Sequence, residues 1–249
     1  MRILVSGCSF SSGHGYDNLK QNPAIWPNLL ASQLSCQIDN VAETASSNHD
    51  IFLATMLAMS KVDYDMVIVQ WSAKNRITLS PSPANPRVIA SYFDSHLVNE
   101  LYAFTDKEIE AYQKIMVTLN QDWKHYFDLV DMITTLQQSK TPVYFVNGLL
   151  PWIREFFTDD KVDAFTKRLV QSDQFGPEDT AQFIEKVNSA KDLIDKSRWV
   201  NLTVSWYQSK IDTVSKQDDH PGPKSQKLFA DQIFKFLKEK HAQSSTNRS

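Results

Sequence analysis

Long apolar runs are missing from this 249-residue chain. No stretch of about 20 consecutive apolar residues occurs, so no membrane-spanning helix is expected. Positive charge is not in excess either: the net charge is -3 and the pI about 6.1. Nucleic-acid binders usually carry a basic patch, so no nucleic-acid partner is expected. Cysteine is scarce. Cys8 and Cys36 are the only two, which excludes a disulfide framework, and both fall in or beside apolar segments, where a free thiol is commonly buried. The apolar run at the N-terminus, Ile3 to Val5, is too short for a signal peptide, so the expected location is the cytoplasm. HExxH and CxxC do not occur, and Gly13-His14-Gly15 lacks the rest of a dinucleotide fingerprint. His96, His125 and His241 have no companion at ligand spacing. Neither a metal nor a cofactor is expected.

What is present suits one sizeable α/β domain. The chain is 42% hydrophobic with six tryptophans, enough for an ordered core. Ile3 to Val5 reads as a buried strand ended by Gly7, and a polar loop follows from Ser9 to Pro23. Ile25 to Leu34 has apolar residues at helical spacing. Gln37 to Val41 is a second strand, and Ser46 to Ser60 a helix with Ser46 or Ser47 as N-cap. Met66 to Trp71 is an almost unbroken apolar strand, as in parallel sheets covered on both faces. This β-α-β-α-β order predicts an open parallel sheet with helices on both faces. Thr78 to Pro86 carries three prolines and reads as a loop. Asp106 to Gln138 reads as a long helical stretch, Pro142 to Asn147 as the fourth strand and Pro151 to Phe175 as a lid-like insertion. A helix over Asp179 to Asp195, a fifth strand over Trp199 to Val204 and an amphipathic helix over Lys224 to His241 complete the pattern. Residues 1–241 are thus expected to form one domain, with 242–249 a disordered tail.

Two short blocks could carry chemistry. Gly7-Cys8-Ser9-Phe10 closes the first strand, and ligands of open parallel sheets bind at the carboxyl ends of strands. A serine there, after a glycine that permits a tight turn, offers a hydroxyl nucleophile and a backbone N–H beside it. The same tetrapeptide also fits a plain turn or a phosphate-binding loop. Asp218-Asp219-His220-Pro221 lies in the last polar loop, before the final helix. It reads either as a histidine base with an orienting carboxylate or as a solvated turn.

Together, in this order, the two blocks resemble those of the SGNH (GDSL-type) hydrolase superfamily. Its members open with a strand and a Gly-x-Ser nucleophile block, and close with an Asp-x-x-His-Pro-like block before a last helix. The resemblance implies a three-layer α/β/α sandwich, flavodoxin-like, whose five parallel strands run in order 2-1-3-4-5. Helical insertions over about 78–138 and 151–175 would shape the pocket and carry dimer contacts. It further implies an ester hydrolase or acyltransferase acting on a small acylated substrate, with Ser9 as nucleophile, His220 as base and Asp218 as acid. The expected oxyanion and substrate residues are Ala45, Asn48, Ser72, Asn75 and Arg76. This chain departs from the family pattern at three places. Ala45 stands where a glycine is usual. Asn75 lies two residues late for the third block. Gln217 occupies the usual acid position, leaving Asp218 as an Asp-x-His variant. Arg76 suits either an anionic substrate group or an acid of an insertion. Two other readings remain: a non-catalytic domain of this fold that binds carbohydrate or protein, and a nucleotide binder that cradles phosphate between Ser9 and Gly13.

Overall fold

The computed structural model describes residues 1–73, 76–79, 88–91, 121–149, 177–201 and 204–246. Its centre is a parallel sheet of four strands: β1 (Arg2–Ser6), β2 (Gln37–Asn40), β3 (Met66–Trp71) and β6 (Val143–Asn147), in the order β2-β1-β3-β6. Register is continuous across it. Val5 pairs with Asn40 on one side and Ile68 on the other, and Ile68 also pairs with Tyr144. Ile3, Leu4 and Val5 are all fully buried. Successive strand residues face opposite sides, so both faces of β1 are covered.

The covering helices fall into two packed groups. One contains α2 (Trp26–Leu34) and α7 (Pro223–Thr246); the other contains α3 (Asn48–Met59), α4 (Gln121–Gln137) and α5 (Pro177–Asp192). The start of α3 is fixed by a capping box. The Ser47 hydroxyl accepts from the Asp50 N–H at 3.2 Å, and Asp50 Oδ2 accepts from the Ser47 N–H at 3.2 Å. Of the rest, α1 (Ser9–Ser12) is a single turn after β1, and α6 (Trp206–Ser209) a single turn before α7. An aromatic column joins them. Phe10 stacks on Phe229 of α7, Phe229 on Trp206 at 4.4 Å between centroids, and Trp206 meets Trp26 edge-on at 5.3 Å.

Several expectations need correction. Among the described residues, the expected fifth strand shows one parallel bridge, Phe145 to Trp199, with the Val200 N–H donating to the Phe145 carbonyl. Asn201 uses its side chain to pair with the backbone of Asn147 instead, donating to its carbonyl and accepting from its N–H. An amide side chain thereby replaces a ladder pair at the sheet edge. Residues 121–137 do not form an insertion above the strand ends. As α4 they bury Leu129, Val130, Ile133 and Leu136 in the core. Thr78 and Leu79, at the start of the stretch expected to be a loop, belong to β4 (Arg76–Leu79), which pairs antiparallel with β5 (Val88–Ser91); the rest of that stretch, with its prolines, lies outside the described residues. Helix α7 continues to Thr246, past the expected start of the tail at 242, because Ala242 and Gln243 are good helix formers. The insertion expected over 151–175 lies outside the described residues.

Candidate active site

The turn after β1 is built around one buried amide. Gln70 is the penultimate residue of β3 and has no exposed surface. Its Oε1 accepts from the Cys8 N–H at 3.1 Å and the Ser11 hydroxyl at 2.9 Å, while its Nε2 donates to the Trp71 carbonyl at 2.8 Å. Ser11 in turn accepts from the Trp26 indole N–H at 3.2 Å. Gly7 is required here by close approach: a Cβ on it would lie 2.7 Å from both Gln70 Oε1 and Ser11 Oγ. The chain then turns into α1, with the Cys8 carbonyl accepting from the N–H groups of Ser11 and Ser12. Ser9 is the first residue of that turn and is 2% exposed; its hydroxyl donates to Cys8 Sγ at 3.9 Å.

The loop before α7 is held differently, by carboxylates. Asp212 accepts from the N–H groups of Lys224 and Ser225 and from the Ser225 hydroxyl, so it caps the first turn of α7. Asp218 Oδ1 meets His220 Nδ1 at 2.5 Å and accepts from the His220 N–H at 3.0 Å. Burial alone would raise the Asp218 pKa. The two bonds from His220, the imidazole charge and the nearby His14 outweigh it and hold the carboxyl below its ordinary range. Asp219, its neighbour, points to other partners: Lys210 Nζ at 2.5 Å and the Tyr207 hydroxyl at 2.8 Å. Those bonds, Lys210 first, lower its pKa as well.

The two loops pack together. The Tyr16 hydroxyl donates to the Pro221 carbonyl at 3.0 Å, and burial first, then the charge of Asp212, pushes its pKa up. The Phe10 ring meets His220 edge-on at 6.0 Å between centroids, and the His14 ring lies 4.3 Å from it. Gln226 of α7 accepts from the Trp26 N–H at 2.9 Å and donates to the Phe10 carbonyl at 3.4 Å. An imidazole whose Nδ1 is held by a carboxylate has a fixed tautomer, which leaves Nε2 to accept a proton.

The remaining sequence-derived residues divide. Asn48 is buried at the start of α3, and its Oδ1 accepts from the Ser72 N–H at 2.7 Å. That bond brings Asn48 and Ser72 together and assigns the accepting side of the amide, so that Nδ2 is its donor. Ala45 stands at φ 64°, in the left-handed region that disfavours a Cβ by about 1–2 kcal/mol. Arg76 opens β4 opposite Ser91, and Asn75 lies outside the described residues. Sequence reasoning did not single out Gln70, Ser11, Trp26 or Gln226. A lone amide inside the apolar run Met66–Trp71 was the available signal, since buried polar groups find partners. An open cavity of about 430 Å³ flanks Ser46 and Asp50 but includes neither Ser9 nor His220.

No family model matches the chain, and no curated protein matches it. Solved structures are similar over nearly the whole length. The psychrotrophic esterase EstA from Pseudoalteromonas sp. is 13% identical at a TM-score of 0.48, covering 96% of this chain and 97% of that one. A member of the lipolytic protein G-D-S-L family from Veillonella parvula is 10% identical at 0.44, covering 94% and 97%. A catalytic mutant of an acetylxylan esterase from Geobacillus stearothermophilus is 7% identical at 0.47, covering 95% and 93%. At such identities and scores, no chemistry passes from those proteins to this chain.

Proposed function

We propose that this chain is a serine-dependent ester hydrolase or acyltransferase of the SGNH kind. The observation that carries the proposal is the Asp218–His220 pair, seated on a loop that packs against Phe10 and Tyr16, in the segment that follows Ser9. In the proposed reaction the Ser9 hydroxyl rotates away from Cys8 and attacks an ester carbonyl while His220 Nε2 takes its proton. Asp218 holds the tautomer and stabilises the imidazolium. The oxyanion accepts hydrogen bonds from the N–H groups of Ser9 and Ala45 and from Asn48 Nδ2. His220 then protonates the departing alkoxide. Water, or an acceptor hydroxyl, attacks the acyl-serine with His220 again taking the proton, and Ser9 is released. A nucleophile that is 2% exposed favours a small acyl group such as acetyl over a long chain.

A fluorophosphonate probe tests this, since it traps an activated serine. The expected result is labelling at Ser9, located by mass spectrometry, and its loss in Ser9→Ala and His220→Ala. Ester turnover in either variant should fall by on the order of 10⁴-fold or more. Full activity in Ser9→Ala would overturn the mechanism. One observation favours the non-catalytic reading: the Ser9 hydroxyl is bonded to Cys8 Sγ rather than to His220. A folded sample that neither labels nor turns over esters would establish that alternative.

A further inference from the structure

His14 is far from His220 in sequence, and the proposed acyl chemistry does not use it, yet the two imidazoles lie 4.3 Å apart between centroids. Asp218 completes a cluster. One ligating atom from each of His14, Asp218 and His220 lies within 4.8 Å of the other two, and all three residues are half-buried, open enough for an ion to enter. Two imidazoles and a carboxylate are the donor set of an open zinc site, which keeps its fourth position for water. Ligands sharing one zinc at about 2.0–2.2 Å lie roughly 3.3–3.5 Å apart. The cluster therefore has to tighten slightly around His14, while the 2.5 Å contact between Asp218 and His220 has to open.

We propose that His14, Asp218 and His220 form a binding site for a zinc-class divalent ion, and that occupancy switches the enzyme off. The ion takes the place of the proton between Asp218 and His220 Nδ1, and the single N–H of the neutral ring moves to Nε2. His220 becomes a ligand and can no longer act as a base. The site stands on these three residues alone; its inhibitory consequence rests on the hydrolase reading.

The test uses the full chain, stripped of metal by chelation. Zinc is titrated by calorimetry, and cobalt(II) by its visible absorption, which reports tetrahedral coordination. Wild type should bind one ion per chain, and Ser9→Ala, which lacks the nucleophile, should bind equally well. His14→Gln and Asp218→Asn, checked for folding by circular dichroism, should each bind on the order of tenfold more weakly or worse. Losing an outer-shell partner already costs about 10–100-fold, and a ligand costs at least as much. In the turnover assay zinc should inhibit wild type, a chelator should reverse this, and His14→Gln should lose the sensitivity relative to its own metal-free rate. Absence of binding, or equal binding by His14→Gln, would overturn the site; binding with zinc raising the rate would overturn its inhibitory role. If the chain proves to have no esterase activity, the binding arm still decides the question, since it needs no turnover.

Discussion

The two halves of the candidate site are held by different physics. The turn bearing Ser9 rests on neutral, fully buried hydrogen bonds that converge on Gln70. The loop bearing His220 rests on carboxylates near solvent: Asp212, Asp218 and Asp219, each with a lowered pKa. Buried neutral bonds are indifferent to pH and salt but intolerant of substitution, because an orphaned donor cannot recover water. Half-exposed ionic bonds tolerate substitution better and respond to both variables. A nucleophile needs a rigid seat and a base needs freedom to titrate, so the division suits the roles proposed for them.

That contrast can be broken most forcefully at Gln70. Gln70→Leu leaves the Cys8 N–H and the Ser11 hydroxyl without their acceptor. It should cost about 3 kcal/mol in urea unfolding, a penalty that stays flat between pH 5 and 8. A cost that varied strongly with pH would contradict the division. Next is Asp212→Ala, which removes the cap of α7 and should cost about 1–2 kcal/mol at pH 7. This penalty has a pH sign. Burial raises the Asp212 pKa, but the bonds from Ser225 and Lys224 hold it below its unfolded value of about 3.9. Its contribution is complete above that value and disappears as pH falls through the lower folded value, so the gap between variant and wild type should close below about pH 4. Lys210→Met loses the ion pair to Asp219, whose side chain is 65% exposed. It should cost about 0.5 kcal/mol, shrinking further in high salt. The smallest effect belongs to Ala45→Gly. Relief of the left-handed strain, about 1 kcal/mol, nearly cancels the added freedom of the unfolded chain, so the melting temperature should scarcely move.

Much of the frame was legible in the sequence. The apolar runs of β1 and β3, the turn residues between elements and the cap at Ser47 are local signals, and they gave elements within a few residues of those observed. The fifth strand was misread because Trp199–Val204 has strand composition, and composition does not reveal that the Asn201 side chain would take over the edge hydrogen bonds. Helix α4 was recognised as helical but misplaced, since periodicity marks an apolar face without saying what covers it. In the site, Asp218 and His220 are two residues apart and could be read as a pair. The approach of His14 to that pair could not, because it depends on how the loops after β1 and before α7 meet in space.

The aromatic column that ties Phe10 to Phe229 also orders events in time. Strands β1 and β3 and their helices can assemble as the chain is synthesised, but the seat of Ser9 gains its partner only when α7, made after them, docks Phe229 against Phe10. An unfinished chain therefore holds the serine without its histidine. On the proposed mechanism, acyl transfer has to wait until the segment bearing His220 has been made and has docked.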